Sequence, residues 1–277
     1  MAAFICETCG VQHAESEEPP ASCPICEDAR QYVGYDGQRW TTLEQLAAER
    51  RNVVRGEAGL TGVGTEPSFA IAQRALLVPG ARGNALWDCT PLLGEETVAE
   101  IEALGGISAI AVSHPHFYST AVEWSRAFGG APVYLHAADR QWVMRPDPAI
   151  VHWEGDAREL EPGITLVRCG GHFPGGTVLH AERAPGGGAL LTGDVIAVAS
   201  DRRWLTFMYS FPNRIPLSEQ RVRRVVEAVE PYDFGRIYGG WWGDVTEDAK
   251  AALARSAERY MAAITGTFPP PDPSERA

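Results

Sequence analysis

Apolar positions along this chain follow two rhythms. Short runs rich in β-branched and aliphatic residues at Phe69–Val78, Ala85–Cys89, Ile107–Val112, Val133–Leu135, Gly163–Val167, Thr177–Ala181, Ala189–Thr192 and Arg236–Tyr238 read as strands. Stretches with helical spacing lie between and after them, at Glu95–Leu104, Thr120–Phe128, Ala138–Met144, Ser218–Val229 and Thr246–Ile264. The pair Gly105-Gly106 ends the first of these, and residues 79–84 form a turn. Thr41-Thr42-Leu43-Glu44 matches a capping box that opens a short helix through about Arg50. Gly56 to Pro67 reads as a glycine-rich connection. Strands alternating with helices, with hairpin clusters among them, predict an α/β chain of α+β type with mixed sheets. The expected division is residues 1–36, a capped helix and linker at 37–67, the main domain at 68–266, and a polar, proline-rich disordered tail at 267–277.

Composition narrows the classes. The formal charge of −12 disfavours nucleic acid, because phosphate binding needs a basic surface. No run approaches the ~20 apolar residues of a membrane span, and the N-terminus has no secretory pattern. A cytoplasmic protein acting on a small molecule, with no membrane partner, is the expectation. Lys250 is the single lysine and sits in a polar helical pattern, which argues against Schiff-base chemistry.

Cys6-x2-Cys9 and Cys23-x2-Cys26 offer four thiolates for a tetrahedral ion. The segment from Phe4 to Cys26 resembles a rubredoxin-like zinc ribbon, which implies Zn²⁺ and leaves Fe open. So small a module needs its metal to fold. Its seven acidic side chains and one arginine within residues 1–36 disfavour a nucleic-acid finger. A docking role, within a homo-oligomer or otherwise, suits it better. His13, between the cysteine pairs, is expected in a solvated loop. His136 and His180 are expected to be satisfied core or edge residues, and Cys89 and Cys169 inert.

The most informative motif is His114-Pro115-His116-Phe117-Tyr118-Ser119 at the end of an apolar run, where two histidines one residue apart can grip one ion. Together with Ala85–Cys89, Gly170–Gly175 around His172, Thr192-Gly193-Asp194 and Ile237–Trp241, it resembles the metallo-β-lactamase superfamily. That resemblance implies a four-layer αβ/βα metallo-β-lactamase sandwich carrying a small N-terminal zinc-ribbon domain. It also implies that His114, His116 and His172 surround the first metal, with Asp194 as further ligand or base. The second-metal ligands fall at Tyr118, Ser119 and Trp241, none of which suits that task. One Zn²⁺, or alternatively Fe²⁺, is therefore expected there.

Three neutral imidazoles leave a position for a metal-bound hydroxide, which suits hydrolysis of a thioester, lactone or amide. Asp194 and Tyr118 are the candidate catalytic residues. Phe173, Trp241, Trp242, Trp204 and Tyr209 are candidates for the substrate pocket, with residues 202–212 as a candidate lid. Two rivals remain. His114, His172 and Asp194 also make the two-histidine, one-carboxylate set of a non-haem iron dioxygenase. A pocket plugged by Trp241 and Tyr118 would instead leave a non-catalytic metal-binding or interaction scaffold.

Overall fold

A computed structural model describes residues 1–268. Two β-sheets lie face to face with helices on their outer sides. The first has seven strands in sequence order: Arg51–Glu57, Leu60–Glu66, Ala75–Gly80, Gly83–Trp87, Ile107–Ala111, Val133–His136 and Ile150–Trp153. Its first four are antiparallel and its last four parallel. The second sheet runs Ala157–Glu161, Ile164–Arg168, Thr177–Ala181, Ala189–Gly193, Arg236–Gly239 and Val245–Glu247, with one parallel pair between Ala189–Gly193 and Arg236–Gly239.

Side-chain alternation explains why these strands read as continuous apolar runs. Leu76, Val78 and Trp87 face Leu179, Leu191 and Tyr238 across the middle of the sandwich. Ala75, Leu77 and Leu86 point the other way, to the layer that contains Ile101 and Trp124 of helices Glu95–Ala103 and Ala121–Ala127. Val178, Leu190 and Ile237 likewise meet Val222, Val225 and Leu253 of helices Glu219–Val229 and Ala249–Ile264. Strands buried on both faces have no polar side to show. The result is the four-layer αβ/βα order.

Several local readings differ from the pattern: the strand read at Phe69–Val78 begins only at Ala75, and the last helix begins at Ala249, after the strand Val245–Glu247, rather than at Thr246. The glycine-rich stretch 56–67, read as a linker, belongs mostly to the hairpin Arg51–Glu57/Leu60–Glu66, the edge of the seven-stranded sheet. The sandwich therefore starts near Arg51 rather than at 68. Its glycines are there for a packing reason: a Cβ on Gly62 or Gly64 would lie 2.6 Å from the Trp242 ring. The capping box exists one residue later than read, with Thr42 as N-cap and Gln45 as its reciprocal partner. Ala138–Met144 forms a 3₁₀ turn over Ala137–Trp142 instead of an α-helix. The polar tail read from residue 267 lies outside the described residues from 269 onward. Among the described residues, no helix is long and apolar enough to cross a membrane.

The N-terminal ribbon is built on the short pairing of Ile5–Cys6 with Trp40–Thr41 and the turn Pro24–Glu27. It does not stand apart. Cys6, Cys9, Cys23, Cys26, Val11 and Ile25 belong to the same apolar cluster as Phe117, Tyr118 and Trp124 of the main domain. Gln12 N donates to Ser119 O at 3.0 Å and Ala14 N to Met144 O at 3.0 Å. Arg145 is hydrogen-bonded to both Gln12 and Glu123.

Candidate metal centre

The strand Ile107–Ala111 ends beside Trp87, its parallel neighbour, so the residues that follow both strands emerge at one edge. Asp88 leaves Trp87 with a left-handed φ of 61°, and its Oδ1 accepts from Ser113 N at 2.8 Å and Ser113 Oγ at 2.7 Å. With the Ser113 hydroxyl proton so committed, its oxygen is left to accept from His114 Nδ1, 2.8 Å away. That fixes the tautomer: His114 Nε2 carries the bare lone pair. His172 is oriented the same way, since its Nδ1 donates to Met208 O at 3.1 Å and leaves Nε2 free.

These groups converge. Donor atoms of His114, His116, His172 and Asp194 all lie within 4.8 Å of one another. His172 Nε2 is 3.2 Å from His116 Nδ1, a contact that a proton or a cation has to bridge. Asp194 Oδ2 is 3.4 Å from His114 Nε2 and 4.0 Å from His172 Nε2. A tetrahedral ion with metal–ligand bonds of about 2.1 Å places its ligands about 3.4 Å apart, close to these spacings. His114 Nε2, which faces this cluster, is buried without a hydrogen-bond partner, which a polar interior tolerates only where something else engages it. The four side chains fit one metal ion.

Electrostatics agree with a neutral imidazole set. Burial, then the neighbouring His114, pushes His172 down to about 3. His116 is held well below its ordinary value, first by burial and then by His172 and His114. Burial raises Asp88 to about 6 and also raises Asp139, a buried carboxylate that accepts from Gly175 N at 2.9 Å, to about 6. Gly193, just before Asp194, has no room for a side chain, because a Cβ would lie 2.4 Å from Ser113 Oγ.

The four cysteines form a second cluster, with Cys6 Sγ 3.5 Å from Cys26 Sγ and Cys9 Sγ 3.8 Å from Cys23 Sγ. Zinc–sulfur bonds of about 2.3 Å call for sulfurs about 3.8 Å apart. Gln38 Nε2 donates to Cys6 Sγ at 3.0 Å. His13 departs from the solvated-loop expectation: it is buried, packs edge-on against Trp40, and helps lower Cys23 after the larger contributions of Cys26, Cys6 and Cys9. His136 and His180 are satisfied through carbonyls of Gly155 and Asp233, as expected.

The aromatic candidates separate. Phe173 lies against all three imidazoles, with ring centroids 4.9 to 5.9 Å away. Trp241 packs on Phe117, which touches His114, and its Nε1 donates to Ile71 O. Tyr209 sits next to Met208, whose carbonyl orients His172. Trp242 and Trp204 are elsewhere. Trp242 covers Gly62 and Gly64 with Arg55 over its ring, and Trp204 lies under Arg259 of the last helix. Their sequence neighbours misled, because adjacent residues on a loop need not point the same way. Tyr118 is buried and lines a small cavity of about 30 Å³ with Val11, Gln12 and Met144. Burial keeps its hydroxyl protonated, well above the ordinary tyrosine range. Residues 202–212 are not a free flap: Ser210 and, just beyond, Asn213 hydrogen-bond to ribbon carbonyls at residues 29–31.

In the sequence Ser113, Asp139, Arg30 and Asp88 had no role at the site: Arg30 stood there only as the ribbon's one arginine, and Asp88 and Ser113 only inside matching landmarks. The four metal-site residues are at most 4% exposed, so the centre is closed beneath Phe173 and the ribbon.

No family model matches the chain. YmaE of Bacillus subtilis (strain 168) is 48% identical over 268 residues, covering 95% of this chain and 97% of that protein. Among solved structures, VMB-1 superposes with a TM-score of 0.58 at 14% identity, over 77% of this chain and 98% of its own. The mono-zinc form of FIM-1 from Pseudomonas aeruginosa gives 0.55 at 14% identity, over 79% and 97%. TTHA1623 in a di-iron-bound form gives 0.50 at 21% identity, over 74% and 98%. The chain belongs to the family of Bacillus subtilis YmaE, and it has the metallo-β-lactamase fold.

Proposed function

We propose that the protein is a mononuclear metal-dependent hydrolase of a small molecule, of the thioester, lactone or amide type. The observation that carries this is the convergence of three imidazoles and one carboxylate within 4.8 Å, with tautomers of two rings set by Ser113 and Met208. A divalent ion held there by His114, His116, His172 and Asp194 would supply a Lewis acid and make water a nucleophile near neutral pH. The chain's own residues supply the rest. Asp194, whose Oδ1 has no hydrogen-bond partner, accepts the proton released on attack. The Asp88–Ser113 pair holds His114 still as charge builds. Phe173 and the ribbon exclude water from the centre once substrate is bound.

Zinc suits both donor sets, with sulfur spacings of 3.5 and 3.8 Å at one and a nitrogen–oxygen spacing of 3.4 Å at the other. One observation favours a rival. Closure of the centre to at most 4% exposure suits a non-catalytic scaffold, in which the ion only ties the two sheets together.

Elemental analysis of the full chain and of a His114→Ala, His172→Ala variant, alongside a panel of thioesters, lactones and amides, separates them. Metal at both clusters, with loss of the histidine-bound ion and of turnover in the variant, is expected. Turnover that survives in the variant sinks the hydrolase, and an inert but metal-loaded wild type favours the scaffold. Iron lost with the variant would favour an oxygenase.

A further inference from the structure

Arg30 is the only arginine or lysine in the first 36 positions, and from the ribbon it reaches the aromatic layer that covers the histidine centre. Its guanidinium carbon lies 4.2 Å from the centroid of Phe173, the ring that rests on all three imidazoles, and 5.0 Å from that of Tyr209.

The main chain around it is clamped. Ser210 Oγ donates to Arg30 O at 3.0 Å, and Asn213 Nδ2 donates to Ala29 O and Gln31 O at 3.1 and 3.0 Å. The Arg30 side chain is 13% exposed, whereas the four ligand residues beneath are at most 4% exposed. Arg30 therefore belongs to the layer between the centre and solvent.

The guanidinium is half engaged. Nη1 donates to Asp28 Oδ1 at 2.9 Å, while Nε is buried with no partner. An arginine fork presents two parallel N–H groups along each edge, and the edge formed by Nε and Nη2 matches the two oxygens of a carboxylate. A cation set beside a metal site disfavours other cations and gains most from an incoming anion.

We propose that Arg30 is a specificity-determining residue of the histidine centre, reaching over Phe173 from the ribbon to select substrates that carry a carboxylate next to the group to be cleaved. This rests on the hydrolase reading of the same site. It also gives the ribbon a task at the centre, since the Arg30 backbone is positioned by the ribbon fold on one side and by Ser210 and Asn213 on the other.

The test uses the full-length, zinc-loaded protein and two small thiols, mercaptoacetate and neutral mercaptoethanol, measured by titration calorimetry with metal content checked in each sample. Wild type is expected to bind mercaptoacetate about tenfold more tightly, Arg30→Met to lose that preference, and Arg30→Lys to keep part of it. Asp28→Asn, which keeps Arg30 and removes its competing carboxylate, is expected to widen the preference severalfold and covers the case in which Arg30→Met fails to fold. An equal preference in Arg30→Met, no preference in wild type, or displacement of mercaptoacetate by inorganic phosphate at equal concentration overturns the proposal. An Arg30-dependent carboxylate preference without turnover of any ester or amide sinks the hydrolase reading instead. Turnover without the preference sinks only the role of Arg30.

Discussion

Asp88 lies one step behind the donor set, yet it decides which nitrogen of His114 faces the ion. It does so through Ser113, which spends its proton on Asp88 and so can only accept from His114 Nδ1. Ser113→Ala removes that acceptor without changing any donor. Outer partners of this kind are worth about 10–100-fold in metal affinity, so zinc binding at the histidines should weaken by that factor while the cysteine cluster is unaffected. Competition against a chromophoric chelator measures both, and unchanged affinity at the histidines would show that Ser113 orients nothing. The donors themselves were legible in sequence: His-x-His after an apolar run and Thr-Gly-Asp after another are local patterns with a chemical meaning. Asp88, Asp139 and Arg30 were not, because each acts through contacts made 25, 36 and 143 positions away, to Ser113, Gly175 and Phe173. No spacing rule spans such separations.

At the scale of elements, the hairpin Arg51–Glu57/Leu60–Glu66 shows how a strand can hide. Glycine weakens a strand and normally signals a turn, so a segment with glycines at 56, 59, 62 and 64 reads as a connection. In the fold, Gly62 and Gly64 occupy the same face two residues apart, and the Trp242 indole lies flat against the backbone they leave open. Only a tertiary partner gives these glycines a reason. Gly62→Val should cost about 1–3 kcal/mol, since its Cβ would fall 2.6 Å from the ring and the indole would have to leave. The check is a lowered melting temperature with metal retained at both clusters. An unchanged melting temperature would mean that Trp242 adapts without cost. Strands buried on both faces, such as Thr177–Ala181 and Ala189–Gly193, are legible within a residue, because each is a short apolar run preceded by glycines.

Across the whole molecule, the ribbon explains what looked like damage. Tyr118 and Ser119, the positions at which the sequence resemblance implies second-metal ligands, are the floor on which the ribbon rests. Ser119 O accepts from Gln12, and Tyr118 packs beside Val11. The sequence showed a module and a broken motif as two separate facts. Their connection needed the three-dimensional arrangement, because residues 11–12 and 118–119 carry no mutual signal.

That arrangement also sets an order of events. The histidine centre is covered by a segment whose own folding depends on the cysteine-bound ion, so the inner site fills more readily before the outer one closes. In the finished protein an inner ion is therefore expected to exchange more slowly than its neighbour in the ribbon. Refolding the chain with one zinc isotope and then challenging it with an excess of another should replace the label at the cysteines first. The histidines should retain the original isotope until a thiol-selective chelator strips the ribbon. Simultaneous exchange at both clusters would mean that the seal is open in solution. A chain that closed its cysteines too early would load its centre slowly for as long as the ribbon stayed folded.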